Sequence, residues 1–371
     1  MDKPKISERD WLYVLAMTPG LGRRTIRKIG ETAGSFQNAV DHWLMIGEEL
    51  GLSVELVQRV DRKTNAAAVM PLLAKREAGP IRYLCILDED YPSLLRHIPD
   101  PPLTLFYRGD CKLLAQAAIG VVGSRKPTPY GRASCAYLVK ELAQAGLVIV
   151  SGLAYGIDGE AHQAALAAGG KTIAVLGCGL NHVYPPRHRA LYEKIESFGL
   201  LLSEYPPDTP PVPGLFPERN RIISGLSLGV VVVEAAEKSG SLITADCALE
   251  QGRDVFAVPG PIFSLMSEGP HNLLKQGAKL VTRTSDILEE LPLVYAGGTD
   301  TAIADRKNSS STTLSAEESV IVEAITYEGV HVDELVQQLE PHQRKNVHQL
   351  LIQLEAKGVL AALPGGYFAR R

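Results

Sequence analysis

Glycines and anion-binding side chains recur directly after the apolar runs in the middle of this 371-residue sequence. Four segments share this pattern: Gly123-Ser124-Arg125-Lys126, Ser151-Gly152 with Gly156, Gly177 with Gly179, and Gly240-Ser241. Glycine lets a backbone approach a phosphate closely, and helix N-termini present free N–H groups to anions. The sequence therefore predicts a phosphate-binding site built from several loops at one edge of a sheet.

A fifth segment is basic and follows a proline-rich loop. Six prolines lie between residues 206 and 217, and Arg219-Asn220-Arg221 comes next. A rigid loop at the start of a helix could deliver both arginines to the same phosphate-binding edge. The alternative is a structural Arg–Glu pair on a surface helix.

The sequence predicts neither a catalytic set nor a metal site, and it implies no cofactor. Ser124 and Ser151 have no base nearby in sequence, and the pair Asp158 and His162 is typical of helix packing. The GxGxxG and P-loop patterns of nucleotide-binding proteins are missing. The five cysteines are far apart and form no CxxC pair, which disfavours zinc and favours a reducing cytoplasm.

Short apolar segments alternate with helical segments through the centre of the chain. The predicted strands cover residues 118–122, 147–150, 172–176, 200–203, 228–233 and 255–258, preceded by 84–87 and 103–107. Continuously apolar strands separated by helices indicate a parallel sheet covered on both faces. The predicted fold class is α/β, with a Rossmann-like, doubly wound, mainly parallel sheet as its core.

Two smaller units flank this core. A Gly20-Leu21-Gly22 hairpin between short helices predicts an N-terminal domain resembling SAM or helix-hairpin-helix modules. Three helices and a hairpin after residue 314 predict a winged helix, which carries eight acidic and five basic residues from 311 onward. The predicted domains are therefore 1–78, 79–294 and 314–371, with a flexible linker at 295–313. The acidic balance leaves DNA binding and a protein–protein role open for the last domain.

Overall charge and hydropathy narrow the possible partners. The net charge of −4 excludes a broad polycationic surface, so any nucleic acid must bind through local patches. The first residues have no apolar core typical of a signal peptide, and no apolar run is long enough to cross a bilayer. We therefore expect no membrane partner.

Several of these segments together resemble the DNA-processing protein DprA (Smf) family, over roughly residues 80–290. The matching motifs include Val121-Val122-Gly123-Ser124-Arg125, Ser151-Gly152-Leu153-Ala154, Gly156-Ile157-Asp158, Lys171-Thr172-Ile173-Ala174-Val175-Leu176-Gly177, Arg219-Asn220-Arg221-Ile222-Ile223-Ser224, Ser239-Gly240-Ser241 and Val258-Pro259-Gly260. The helical and winged-helix units fit the longer architecture of this family.

The resemblance implies a cytoplasmic, non-enzymatic protein that binds single-stranded DNA during natural transformation and loads the recombinase RecA. It also implies a homodimer joined through the Rossmann-like domain. Arg125 and Lys171 become the main candidates for phosphate contacts, with Ser124, Gly152, Gly156, Asn220, Arg221, Gly240 and Ser241 around them. Lys171 is a candidate only because of the resemblance. It directly precedes a predicted strand, so it should face solvent at the amino ends of the strands, opposite the phosphate-binding edge.

Two other functions stay open from the residues. A Rossmann-like nucleotide phosphoribohydrolase also binds phosphate at glycine-rich strand ends, but the region 234–244 lacks the second glycine and the glutamate of its catalytic loop. A regulator that binds duplex DNA through the winged helix is the other alternative.

Overall fold

The computed structural model describes residues 6–291, 315–326, 329–340, 344–363 and 367–370. The predicted linker at 295–313 and residues 364–366 of the predicted C-terminal hairpin lie outside these residues.

Six short helices form the N-terminal unit. They are α1 (Glu8–Ala16), α2 (Arg23–Ala33), α3 (Phe36–Asp41), α4 (Trp43–Glu49), α5 (Val54–Thr64) and α6 (Ala66–Ala78). Polar side chains begin several of them; for example, the Ser7 hydroxyl accepts a hydrogen bond from the Asp10 amide. Between α1 and α2 the chain turns at Gly20, whose φ of 92° suits glycine, and Leu21 is buried. The predicted hairpin between two helices is therefore present.

A nine-stranded sheet forms the centre of the molecule. Its strands are β1 (Arg82–Cys85), β2 (Thr104–Gly109), β3 (Ala118–Val122), β4 (Val148–Ser151), β5 (Thr172–Leu176), β6 (Leu200–Ser203), β7 (Gly229–Val232), β8 (Asp254–Ala257) and β9 (Lys279–Leu280). Their spatial order is β1-β2-β6-β5-β4-β3-β7-β8-β9. The strands from β6 to β9 pair in parallel, while β1 and β2 pair antiparallel at one edge. This confirms the predicted α/β class with a mainly parallel sheet.

Helices cover both faces of the sheet. They are α7 (Ser93–Arg96), α8 (Pro129–Gln144), α9 (Ile157–Ala167), α10 (Arg189–Phe198), α11 (Leu215–Gly225), α12 (Gly240–Glu250), α13 (Glu268–Lys275) and α14 (Ser285–Leu288). Alternate residues of one strand enter two different cores, as Ile119 and Val122 of β3 do. Because both faces are buried, the strands are continuously apolar and were recognisable in the sequence.

The N-terminal unit packs against the β1–β2 end of the sheet. The ring of Tyr13 contacts Tyr83 and Phe106, with centroid separations of 4.9 and 6.2 Å. Arg23 of α2 makes ion pairs with Asp100 at 3.1 Å and with Glu204 at 4.0 Å. Apolar and ionic contacts therefore both join the two parts.

The C-terminal unit has its own core. It contains α15 (Ala316–Ala324), α16 (Val332–Gln338), α17 (Val347–Ala356) and the strands β10 (Val330–His331), β11 (Leu360–Leu363) and β12 (Tyr367–Arg370). The strands form a sheet of order β10-β12-β11, and the three helices bury residues such as Ile321, Leu335 and Leu354. This is the arrangement predicted for a winged helix.

None of the helices in the described part of the chain combines the length and the apolar character that crossing a membrane requires.

Candidate functional site

A pocket of about 430 Å³ opens at the carboxyl ends of β3 and β7. The strand order places β4 on one side of β3 and β7 on the other, so the sheet is extended in opposite directions from this point. This is the topological switch point of the sheet, where open α/β folds bind ligands. Seven of the predicted site residues line the pocket: Gly123, Ser124, Arg125, Arg219, Asn220, Gly240 and Ser241.

The loop after β3 supplies one wall of the pocket. A Cβ atom at Gly123 would lie 2.7 Å from Ile157 Cγ1 and 2.9 Å from the Glu234 carbonyl oxygen, so only glycine fits. The buried Ser124 hydroxyl accepts a hydrogen bond from the Lys126 amide at 3.0 Å and donates to Met266 Sδ at 3.3 Å. These contacts hold the turn that carries Arg125 to the mouth of the pocket.

The N-terminus of α12 forms the opposite wall. Ser239 caps the helix: its Oγ lies 3.4 Å from the Ser241 amide and 2.8 Å from the Ser241 hydroxyl. Asn220 of α11 donates from Nδ2 to the Gly240 carbonyl oxygen at 3.2 Å. An added Cβ at Gly240 would meet no atom within 4 Å, so the space over this helix end is open. The dipole of α12 favours an anion at such a position.

Arg219 and Asp158 are buried residues of opposite charge that both line the pocket. Arg219 is 4% exposed, and its Nη1 donates to the carbonyl oxygens of Gly152, at 2.7 Å, and of Val175. The Asp158 carboxylate accepts from the amides of Gly152, at 3.2 Å, and Ala154, at 3.4 Å. Burial raises the pKa of Asp158 and lowers the pKa of Arg219, and each charge opposes the shift of the other.

The charge lining the pocket is positive. Arg125 and Lys238 are exposed at its mouth, and neither has a carboxylate within ion-pair distance among the described residues. Arg219 adds a third cation and Asp158 one anion, so three positive charges and one negative charge line the site. The arrangement suits a ligand with at least one phosphate.

Other predicted glycines serve the packing of the loops around the pocket. Added Cβ atoms would lie 2.6 Å from Arg219 Cζ at Gly152, 2.6 Å from Phe216 Cδ1 at Gly177, and 2.7 Å from Pro127 Cδ at Gly156. Gly179 is covered by the carbonyl groups of Pro206 and Pro207 in the same way. Because these four glycines have no side chain, other segments of the same chain pack closely against their backbone. Ser151, whose hydroxyl donates to the Val121 carbonyl oxygen at 2.6 Å, also joins neighbouring strands.

The structure separates Arg221 from Arg219. Arg221 makes a bidentate ion pair with Glu204, with Nη2–oxygen distances of 2.7 and 2.9 Å, and its Nε lies 3.4 Å from Asp100. Arg221 therefore forms an Arg–Glu pair, but a buried one rather than one on a surface helix, while Arg219 lines the pocket. Any DNA contact by Arg221 stays a prediction.

Lys126 and Lys171 also lie outside the pocket lining. Lys126 is exposed beside the loop that carries Arg125. Lys171 directly precedes β5, and its Nζ donates to the Phe198 carbonyl oxygen at 3.2 Å. Because the pocket lies at the carboxyl ends of the strands, Lys171 is at the opposite edge of the sheet. Any DNA contact by these two lysines stays a prediction.

Sequence reasoning missed several residues of the pocket. Lys238 directly precedes the Ser239-Gly240-Ser241 segment, and that position could have identified it. Phe216, Pro217, Ile243, Thr244 and Met266 also line the pocket. Met266 comes from a separate loop after β8, so no local pattern could have placed it there.

His162 serves the core. It is fully buried, and its Nδ1 donates to Thr172 Oγ1 at 2.6 Å, because the Thr172 hydroxyl proton is donated to the Ile149 carbonyl oxygen at 2.7 Å. Burial lowers the pKa of His162 to about 3. The ring is therefore neutral near pH 7 and has a structural role.

The buried His162 should make the protein less stable in mild acid. Its pKa is lower in the folded state, so the unfolded chain takes up the proton first as the pH falls below about 6.5. We expect the free energy of unfolding to fall by about 1.4 kcal/mol per pH unit from this residue alone. Urea unfolding between pH 7 and pH 5 should therefore show a flatter pH dependence in His162→Gln than in wild type. His42→Gln, at an exposed position, is the matched control. Equal slopes for wild type and His162→Gln would contradict this assignment.

The described residues contain no cluster of three or more histidine, cysteine or acidic side chains able to hold a metal ion. The two serines of the predicted loops have engaged hydroxyl protons, Ser124 with Met266 and Ser151 with Val121. Neither of these two hydroxyl groups is therefore hydrogen-bonded to a base, and the arrangement can bind an anion.

Comparison with known proteins agrees with this architecture. The family described as DNA recombination-mediator protein A matches residues 82–292, and the DprA winged helix domain matches residues 305–366. The chain is 45% identical over 359 residues to Protein Smf of Escherichia coli, covering 93% of this chain and 94% of that protein. It is 46% identical over 264 residues to DNA processing protein DprA of Bacillus subtilis, covering 67% of this chain and 89% of that protein.

Two solved structures extend the comparison. The X-ray structure of DprA from Streptococcus pneumoniae is 40% identical, with a TM-score of 0.63 over 78% of this chain and 99% of that chain. DNA processing protein A from Helicobacter pylori, described with its single-stranded DNA binding mode, is 33% identical, with a TM-score of 0.53 over 58% of this chain and all of that chain. The chain, with its glycine-rich sheet edge and winged-helix unit, belongs to the DNA recombination-mediator protein A (DprA/Smf) family.

Proposed function

We propose that this protein binds single-stranded DNA in the cytoplasm, without catalysis, and that the pocket at the β3–β7 switch point holds phosphates of the strand. In this proposal it protects incoming DNA and loads RecA during natural transformation and recombination. Family membership supports the proposal, as does the single-stranded DNA binding described for the Helicobacter pylori protein.

The positive pocket is the observation that carries the proposal. Among the described residues, no carboxylate pairs with Arg125 or Lys238 at its mouth, and Arg219 and the N-terminus of α12 line the same pocket. Lysine and arginine side chains beside a helix N-terminus bind phosphate through charge and hydrogen bonds, with no contact to base edges. Binding of this kind is independent of base sequence and strongly dependent on salt.

A homodimer joined through the Rossmann-like domain is part of the same proposal. The strand β9 is short and ends the sheet, and exposed apolar side chains lie on it and on the neighbouring α12. Leu280 is 54% exposed, and Leu249 is also 54% exposed. An exposed sheet edge with apolar neighbours is suited to pairing with a second copy. Sedimentation of wild-type protein as a monomer at micromolar concentration would contradict the homodimer.

Arg125→Ala should weaken single-stranded DNA binding about tenfold or more, because a charge-assisted phosphate contact is lost. The slope of log affinity against log salt should also fall by about 0.7, the value of one phosphate contact on a single strand. Lys171→Ala should cause a smaller loss, because Lys171 lies at the opposite edge. Fluorescence anisotropy with a labelled oligonucleotide at several salt concentrations measures both quantities.

Lys140→Ala is the matched control, since Lys140 is an exposed cation on α8 that does not line the pocket. The pocket assignment is wrong if Arg125→Ala and Lys140→Ala bind alike. RecA filament growth on DNA already coated with single-strand-binding protein tests the loading step: wild type should accelerate it, and no acceleration would contradict that part of the proposal.

A further inference from the structure

An apolar loop stands out into solvent beside the pocket. In the segment after β8, Phe263 is 95% exposed, Ile262 is 79% exposed and Leu265 is 67% exposed. A fully exposed phenylalanine between two exposed aliphatic residues is unusual, because each would be more stable if its apolar surface were buried. The loop is therefore a candidate contact surface.

The ends of this loop are held firmly. Tyr130 donates from its hydroxyl to the Pro259 carbonyl oxygen at 2.6 Å, and His271 Nε2 donates to the Gly260 carbonyl oxygen at 3.0 Å. At the other end, the Ala235 amide donates to the Met266 carbonyl oxygen at 2.8 Å. Since both ends are anchored, the aromatic ring is presented on a preorganised turn, which lowers the entropy cost of any contact it makes.

The loop is continuous with the phosphate pocket. Met266 lines the pocket and contacts Ser124, and Phe263 precedes it by three residues. Three residues span at most about 11 Å, which corresponds to about three stacked nucleotides at 3.4 Å each. A strand whose phosphates lie at Arg125 and Lys238 therefore has bases within reach of Phe263.

We propose that the ring of Phe263 stacks on a nucleobase of the strand whose phosphates occupy the pocket. The inference rests on the proposed function and adds a base contact to it. The segment 259–267 contains no charged side chain, so it does not repel the DNA backbone. Aromatic rings stack on any of the four bases, so the contact adds affinity without sequence preference.

The test compares Phe263→Ala with wild-type full-length protein on a thymine oligonucleotide and on an abasic oligonucleotide of equal length. We expect Phe263→Ala to lose about fivefold to a hundredfold in affinity for the thymine strand, with an unchanged salt slope. Affinity for the abasic strand should not change. Phe263→Trp should bind the thymine strand as wild type does, and its tryptophan fluorescence should be quenched on binding. Ile262→Ala, which removes exposed apolar area without an aromatic ring, should bind as wild type does.

Other results would overturn the inference and separate it from the proposed function. If Phe263→Ala matches wild type while Arg125→Ala still lowers the salt slope, only the stacking contact is wrong. If wild type binds neither oligonucleotide, the proposed function fails. If Phe263→Ala also changes the sedimentation coefficient of the free protein, the loop is an interface between copies, and the base contact is overturned.

Discussion

Arg221→Met should lower the free energy of unfolding by about 3–5 kcal/mol, because it leaves a buried carboxylate without its ion-pair partner. The Glu204 side chain is only 5% exposed and accepts two hydrogen bonds from Arg221. Arg23, at 4.0 Å, is the cation left near it. Charges removed from water are tolerated only while they are paired, so losing one partner costs more than the pair itself contributes.

Urea unfolding at pH 7 measures this effect through two probes. Trp11 and Trp43 are both buried in the N-terminal unit, so their fluorescence follows that unit, while circular dichroism follows the whole chain. The double variant Glu204→Gln with Arg221→Met removes both charges and should recover part of the loss. Arg221→Lys should be intermediate, because lysine keeps the charge without the planar guanidinium whose Nη2 donates to both carboxylate oxygens. An unfolding curve for Arg221→Met equal to that of wild type would disprove the buried pair.

Arg219→Met should also cost about 3–5 kcal/mol, and it should weaken DNA binding as well. Arg219 is 4% exposed and holds the carbonyl groups of Gly152 and Val175, and its charge opposes that of the buried Asp158. Without it, the buried Asp158 carboxylate keeps its hydrogen bonds to the Gly152 and Ala154 amides but loses the opposing charge of Arg219. The pocket at the same time loses one of its three cations.

Arg219 and Arg221 form a matched pair for this test, since they lie two residues apart on one helix. Urea unfolding should show a similar loss for both variants. Anisotropy titrations under conditions where both are folded should show weaker binding for Arg219→Met alone. Adding Asp158→Asn to Arg219→Met should restore stability without restoring affinity. Equal DNA affinity in the two single variants would show that Arg219 is not part of the DNA-binding site.

The strands were predictable because their physical cause is local. Residues buried on both faces of a parallel sheet must be apolar throughout, and 118–122, 172–176 and 200–203 coincide with β3, β5 and β6. The anion-binding edge followed from the same reasoning, because the carboxyl ends of parallel strands meet at one edge. Arg125 and Ser124, directly after β3, line the pocket at this edge, and their contact with DNA stays a prediction.

The role of each glycine loop could not be predicted from the local sequence. Any glycine after a strand suggests a backbone that approaches a ligand, but the space it leaves can be filled by the protein itself. At Gly152 that space is filled by Arg219, whereas at Gly240 it is open. The sequence does not distinguish these two cases, because the filling atoms belong to residues far away along the chain.

The sequence by itself determined the α/β class, the strands and the edge at which anion-binding groups gather, because these depend on residue type and short-range periodicity. The tertiary structure decided which groups at that edge line the pocket. Residues two apart on a helix point about 200° apart, so only one of Arg219 and Arg221 can face the pocket. α11 packs against the sheet so that Arg219 lines the pocket and Arg221 pairs with Glu204.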